Sequence, residues 1–104
     1  MTAVAILDRV TLPADEARPW LDRMRNTYAP GAEQRGMHLR GTWSGHVGAD
    51  AVEVCVLWEL PDVAAFWTMR AAALADPSVA AWWDATDALA LDRHRRVYEA
   101  DALS

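Results

Sequence analysis

One carboxylate, Asp8, falls inside an apolar run near the start of the chain. In "AVAILDRV" it alternates with aliphatic residues such as Val4 and Ile6, so these side chains share one face of a predicted strand. A carboxylate among branched aliphatic side chains is destabilised in its charged form unless it is paired, which is how a general base is made. The alternative is a structural ion pair with Arg96 or His94 on the last predicted strand.

A second candidate pair, His38 and Arg40, projects from one face of the strand predicted over residues 37–46. An imidazole beside a guanidinium could abstract a proton and hold the resulting oxyanion. The same residues could equally form ordinary cross-strand charge pairs with Glu53 or Glu59.

The chain carries six tryptophans in 104 residues. Trp67, Trp82 and Trp83 fall on two predicted helices and are too many for one narrow apolar stripe, so at least one should face a cavity or a partner subunit. A pocket for a flat ligand is therefore predicted between sheet and helices, although a strand-end residue such as Trp58 could also be plain core. The residues assigned to this pocket are Trp43, Trp58, Phe66, Trp67, Arg70 and Trp82.

Several functions are disfavoured by composition. The net charge of −5, with no basic stripe except "RHRR" at 93–96, argues against nucleic-acid binding. Three histidines without ligand spacing and one cysteine predict no metal site, and no nucleotide-cofactor or serine-hydrolase motif occurs, so we expect no cofactor. Cys55, between valines, is interpreted as strand filling. No apolar run approaches the ~20 residues of a membrane span, and a lone cysteine fits a reducing compartment, so a soluble cytoplasmic protein is expected.

Hydrophobic periodicity predicts the elements that must position these residues. Strands are predicted over 3–10, 37–46, 51–60 and 95–100. The first helix has an apolar stripe from Ala17 to Tyr28; Pro19 should lie in its first turn, which places its start between residues 15 and 18, and "APGAEQRG" at 29–36 should end it. A later helix, starting with Pro61 at its first position, breaks at "ADPS", where Asp76 is the predicted N-cap of its second half.

The resulting order, strand–helix–strand–strand–helix–strand, predicts a single α+β domain over 1–104 with the ferredoxin-like βαββαβ topology. Its antiparallel sheet would carry helices on one face. The other face, with Arg40, Thr42, Glu53 and Leu57, would stay uncovered, and two subunits that pack these faces together would close a dimeric α/β barrel. A homodimer is therefore expected.

Three stretches carry a resemblance to known proteins: "LRGTWSGHVGADAVEVCVLWELPDVAAF", "ADPSVAAWW" and the opening "AILDRVTLPADEARPWLDRM". Through them the chain resembles the dimeric α/β-barrel superfamily, and within it the NIPSNAP-like group most closely. Relatives include cofactor-free antibiotic-biosynthesis-type monooxygenases, haem-degrading monooxygenases, isomerases and polyketide cyclases. Haem degradation fits poorly, because the family pattern implies a histidine on the helix after the "W-E" strand and none occurs between His46 and His94.

The similarity to quinone-forming anthrone monooxygenases is partial. It implies that Trp58 lies beside the reacting substrate, and so adds Trp58 to Asp8, His38 and Arg40 as a candidate catalytic residue. That family's helix tyrosine corresponds to Phe66, however, and its strand asparagine to Val54. The favoured interpretation is a cofactor-independent oxygenase, cyclase or isomerase acting on a flat aromatic or polyketide-like substrate. The alternative is a non-catalytic ligand-binding or dimerisation module in which every tryptophan belongs to the core.

Overall fold

A computed structural model describes residues 2–101 of the chain. The elements, in order, are β1 (Ala3–Pro13), α1 (Ala14–Arg23), a π-helical segment (Met24–Tyr28), α2 (Ala29–Gln34), β2 (His38–His46), β3 (Ala51–Leu60), α3 (Val63–Leu74), α4 (Pro77–Leu89) and β4 (Asp92–Ala100). The strands form one antiparallel sheet in the order β2-β3-β1-β4. The predicted ferredoxin-like α+β fold is confirmed.

The core lies between the helices and one face of the sheet, here called the inner face. Alternate residues of β1 and β3, including Ile6 and Val54, point to this face and are fully buried. The predicted stripe of the first helix, from Ala17 to Tyr28, packs against them. Trp20 donates its indole N–H to Thr86 Oγ1 at 3.0 Å, which joins α1 to α4 inside the core. The opposite face of the sheet, here called the outer face, carries no helix.

A β-bulge in β2 corrects the predicted faces of that strand. The pairing with β3 shifts between Leu39 and Gly41, so Arg40 is the extra residue. Beyond the bulge Thr42 points to the inner face, where Arg25 Nη2 donates to its hydroxyl at 2.6 Å. Trp43 points to the outer face, opposite Cys55, and is 52% exposed. The prediction that Trp43 walls a pocket on the helix side is therefore wrong.

The first helical region is longer than predicted. Pro19 lies well inside α1 instead of in its first turn, on the exposed side of the helix where water can satisfy the free carbonyl. The segment 29–36 does not end the helix: the chain passes through a π-helical turn just before Pro30 and continues as α2 to Gln34. The wider turn accommodates a proline that lacks an N–H. Gly36, just past the C-cap Arg35, has a φ of 95° that favours glycine and turns the chain out of the helix.

The caps of α3 and α4 follow the sequence with one change. Pro61 lies before α3 instead of at its first position, and Asp62 is the N-cap, whose side chain accepts the Ala65 N–H at 2.7 Å. Asp76 caps α4 ahead of Pro77, as predicted. The buried side of α3 is centred on Met69, with Phe66 half-buried, and leaves Trp67 61% exposed. The large apolar side chains of α3 are therefore divided between the core and its exposed side.

Candidate ligand pocket

A pocket of about 420 Å³ lies between the inner face of β4 and the helices α3 and α4. This is within the ~300–1,000 Å³ typical of small-molecule sites. It is open to solvent on one side. Its lining is mostly apolar, with three arginines and one aspartate: Phe66, Met69, Arg70, Ala73, Leu74, Ala75, Asp76, Pro77, Val79, Ala80, Trp83, Arg93, Arg95 and Val97.

Two of the arginines stack on one indole. The guanidinium carbon of Arg93 lies 4.6 Å from the centroid of Trp83, and that of Arg95 lies 5.2 Å from it. Alternation along β4 sends both side chains to the inner face, because they pair in register with Val10 and Asp8 of β1. Trp83 therefore holds two positive charges at the wall of an apolar pocket.

Arg95 is fixed by a buried carboxylate. Its Nε donates to Asp8 Oδ1 at 2.7 Å and its Nη2 to Asp8 Oδ2 at 2.9 Å. Trp58 Nε1 donates to the same Oδ2 at 3.1 Å. Asp8 is 2% exposed and lines none of the pockets described, so it does not reach a ligand as a general base. Asp8 instead positions Arg95.

The prediction that Asp8 pairs with Arg96 or His94 is wrong, because the register between β1 and β4 places a different residue opposite Asp8. Arg95 lies directly opposite Asp8, whereas His94 and Arg96 lie opposite Arg9 and Leu7 and point to the outer face. Burial alone would lower the pKa of the Arg95 guanidinium, but the hydrogen bonds and charge of Asp8, with a smaller contribution from Tyr28, raise it above its ordinary value. Arg95 is therefore a permanent cation in the pocket wall.

Arg93 is held from the other side by α4. Its Nε donates to Asp87 Oδ1 at 2.6 Å and its Nη2 to Oδ2 at 3.0 Å. The hydrogen bond from Arg93 lowers the pKa of the Asp87 carboxyl, and in turn Asp87 raises the pKa of Arg93. Each arginine uses two of its five N–H groups on a carboxylate, so other N–H groups remain for further contacts.

The predicted wall residues are only partly gathered here. Phe66 and Arg70 line this pocket, and Phe66 also lines a second one of about 200 Å³ that includes Trp67. Trp82 lines a third cavity, where it stacks on Tyr28 with centroids 5.4 Å apart. Trp58 is 1% exposed and serves as a core hydrogen-bond donor, so it lines none of these pockets.

The pair His38 and Arg40 lies at the edge of the sheet, away from this pocket. His38 Nδ1 contacts Glu33 Oε2 at 3.0 Å, and Arg40 Nε lies 3.3 Å from Glu59 Oε1. Both side chains are substantially exposed. The cross-strand interpretation is confirmed for Arg40 with Glu59, whereas the partner of His38 comes from α2.

Cys55 packs on the outer face, 8% exposed. Burial raises the pKa of its thiol, and the nearby Glu53 carboxylate raises it further. A thiol with a raised pKa is a weak nucleophile, which agrees with the interpretation of Cys55 as strand filling.

The residues that sequence reasoning missed are Trp83, Arg93 and Arg95. The signal for the two arginines was the "RHRR" run at 93–96, which was weighed as a possible nucleic-acid-binding stripe. The side chains of this run do alternate between the two faces of β4. Arg93 and Arg95, on the inner face, line the pocket between this edge strand and the helices α3 and α4. No three or more His, Cys, Asp or Glu side chains between residues 2 and 101 are grouped to hold a metal ion. No helix in that range is long and apolar enough to span a membrane.

Comparisons with known proteins identify relatives of the chain. The NIPSNAP family model matches residues 9–103. A NIPSNAP family protein of unknown function from Agrobacterium tumefaciens has 14% identity and a TM-score of 0.75, over 99% of this chain and 92% of that one. An uncharacterized NIPSNAP domain protein from Burkholderia xenovorans has 17% identity and a TM-score of 0.70, over 97% of both chains.

A further structural relative carries an activity in its description. SnoaB, a cofactor-independent oxygenase from Streptomyces nogalater, has 19% identity and a TM-score of 0.66, over 99% of this chain and 97% of its own. A comparison with curated proteins gives no match. At identities this low, structural likeness establishes the fold and leaves activity to the residues of the pocket.

Proposed function

The chain belongs to the NIPSNAP family, and we propose that it is a cofactor-independent enzyme acting on a flat aromatic or polyketide-like substrate in the pocket between β4, α3 and α4. The reaction would be of the oxygenase, cyclase or isomerase type. The observation that carries this proposal is the pair of guanidinium groups stacked on Trp83 at the wall of an otherwise apolar cavity of about 420 Å³.

Apolar walls and fixed cations suit a substrate that is flat, apolar and able to become an anion. Phe66, Met69 and Val97 offer surface to an aromatic ring system. Arg93 and Arg95 offer N–H donors to a phenolate or enolate oxygen. Oxygenation, cyclisation and isomerisation of such substrates can all begin with loss of an acidic proton to give an enolate. Fixed cations in a low-dielectric pocket stabilise that anion as it forms.

The fold shared with SnoaB supports the proposal at the level of the scaffold. The polar groups differ from those that the resemblance to anthrone monooxygenases implies. Val54 is fully buried in the core, and Phe66, which lines the pocket, has no hydroxyl. In this chain the arginines of β4 take over the role of contacting the substrate oxygen.

A non-catalytic ligand-binding module is the second candidate, and one observation favours it. Among residues 2–101, the only carboxylate lining the pocket is Asp76, and it already accepts hydrogen bonds from Ser78 at the start of α4. The lining contains no histidine and no thiol that could act as a general base. Catalysis would therefore require a substrate acidic enough to lose its proton to water or one that enters as the anion.

The test begins with quenching of tryptophan fluorescence by a panel of polycyclic phenols and anthrone-like compounds. Each compound that binds is then followed by oxygen uptake and by chromatography of the products under air and under nitrogen. Turnover with oxygen uptake would indicate an oxygenase, and turnover under nitrogen a cyclase or isomerase. Saturable binding without turnover would favour the binding module, and the absence of binding across the panel would overturn both candidates.

We also propose that two copies pair through their outer faces. Leu7 and Leu57 form a half-buried apolar centre on this face, and Trp43 is exposed beside it. Two charge pairs beside them form within one subunit: Arg9 Nη2 lies 3.1 Å from Glu53, and Arg40 Nε lies 3.3 Å from Glu59. Arg96, opposite Leu7, also points to this face. An apolar centre with a charged surround suits association with an identical face.

A further inference from the structure

A separate cavity of about 70 Å³ lies between the helical segment 24–34 and the start of α4. Its lining residues are Thr27, Tyr28, Gly31, Arg35, Ser78, Val79 and Trp82. One water needs only ~10–15 Å³ of such space, so the cavity has room for a group of a few atoms but not for a ring system.

Arg35 brings a charge into this cavity that the protein does not fully compensate. Its side chain is 8% exposed, and an arginine stays protonated under all ordinary conditions. The nearest carboxylate oxygen is Asp76 Oδ2, 3.6 Å from Arg35 Nη1 and beyond hydrogen-bond distance. The other oxygen of Asp76 accepts the Ser78 N–H at 2.9 Å and the Ser78 hydroxyl at 2.7 Å. Asp76 is thus engaged in capping α4.

Three buried N–H donors at this cavity face no acceptor within residues 2–101. They are Arg35 Nε, Arg35 Nη2 and Trp82 Nε1. Nε and Nη2 form one edge of a guanidinium, the same edge with which Arg95 holds both oxygens of Asp8 at 2.7 and 2.9 Å. That edge matches two oxygens of a planar anion. The indole N–H of Trp82 adds a third donor from α4.

From this arrangement we propose that Arg35 and Trp82 form a binding site for a small planar oxyanion, of the carboxylate or bicarbonate type. A buried cation without a full counter-charge is costly, and a bidentate anion would supply both the charge and the missing acceptors. Tyr28, whose ring centroid lies 5.6 Å from the Arg35 guanidinium, would close the site from the side. This proposal does not depend on the function proposed for the larger pocket.

Sodium formate is the probe, and it replaces sodium chloride stepwise so that the ionic strength stays constant. Two readouts are followed: the unfolding temperature, and the transverse relaxation rate of the formate proton. We expect formate to raise both saturably in the wild type. Arg35→Met should abolish both responses, and it should still fold because it replaces a buried cation with an apolar side chain of similar length. Arg18→Met is the matched control, since Arg18 is 73% exposed and should leave the responses unchanged.

Trp82→Phe keeps an aromatic ring and removes only the indole N–H donor. It should weaken formate binding several-fold, and it serves as the deciding variant if Arg35→Met does not fold. Equal responses in the wild type and these variants would overturn the proposal, as would the absence of saturation, which would mean that water satisfies the donors. Saturation by chloride at a lower concentration than formate would contradict the planar-oxyanion assignment.

Discussion

Asp8 lies in the central strand with both carboxylate oxygens engaged, and its role is to hold Arg95 at the pocket wall. The bidentate pair and the Trp58 N–H leave it no access to a ligand. The sequence identified Asp8 as a candidate because its carboxylate alternates with aliphatic residues in a predicted strand. Its partner could not be identified, because the pairing depends on β4 starting at Asp92, earlier than the predicted residue 95.

Asp8→Asn should therefore act on stability first. The amide leaves the Arg95 cation without a counter-charge, and breaking a buried pair costs about 3–5 kcal/mol. Because the Arg95 side chain keeps 29% exposure, we expect a loss nearer 2–4 kcal/mol in the free energy of urea unfolding. Asp22→Asn, which removes an exposed pair with Arg18, should change it by less than about 1 kcal/mol. A mutant of unchanged stability that has lost all turnover would instead favour Asp8 as a catalytic base.

Asp87 gives the second prediction at this scale, on pH. The Arg93 hydrogen bond lowers its folded-state pKa below the unfolded value of 3.8, so its contribution is present above pH 3.8 and is lost as the pH falls through the folded-state pKa. The urea midpoint of the wild type should decrease as the pH falls through this acid range, and the urea midpoint of Asp87→Asn should decrease less steeply. Asp84→Asn, on the same helix, should behave as wild type. Identical slopes for all three would contradict the assignment.

At the scale of elements, α4 carries Trp83 and therefore sets the position of both arginines. Its anchor in the core is the hydrogen bond from the Trp20 indole to Thr86. The two partners are sixty-six residues apart in the sequence and belong to different helices. Periodicity predicts which side of a helix is buried and does not predict which polar groups meet there.

Thr86→Val tests this anchor. The variant keeps the shape and leaves the buried Trp20 N–H without an acceptor, at a cost of about 1–3 kcal/mol. Since 1 kcal/mol shifts the melting temperature of such a domain by roughly 4–8 °C, a drop of at least about 4 °C is expected by calorimetry. Thr68→Val, on the exposed side of α3, is the control and should melt like the wild type. A Thr86→Val protein that also melts like the wild type would show that the hydrogen bond does not anchor α4.

Two local features could not be read from the pattern, and the first altered the candidate site. The bulge at Arg40 moved Trp43 to the outer face and Thr42 to the inner one. A single extra residue in a strand reverses every side chain beyond it, and nothing in "LRGTW" specifies where the extra residue falls. Pro30 predicted a helix end by the usual rule, yet the helix continues through the π-helical turn before it.

At the scale of the whole molecule, the uncovered sheet face was predictable because alternation gave each strand a second face that the helices could not reach. The proposed homodimer is tested by light scattering after size exclusion at micromolar concentration. The wild type should elute with twice the 11.5 kDa chain mass. Leu57→Arg, on the outer face, should shift it to the monomer, whereas Val47→Arg in the β2–β3 turn should not. A monomeric wild type would rule the barrel out.

The central claim is that substrate binds between β4, α3 and α4. Ala80 and Ala88 lie on the same helix and both are exposed, but only Ala80 lines this pocket. The most direct measurement is therefore the dissociation constant of the tightest-binding phenol for wild type, Ala80→Phe and Ala88→Phe, by calorimetric titration. Filling the pocket with a ring in Ala80→Phe should weaken binding at least about tenfold, or ~1.4 kcal/mol, and Ala88→Phe should bind as the wild type does. Equal affinity for all three proteins would contradict the account.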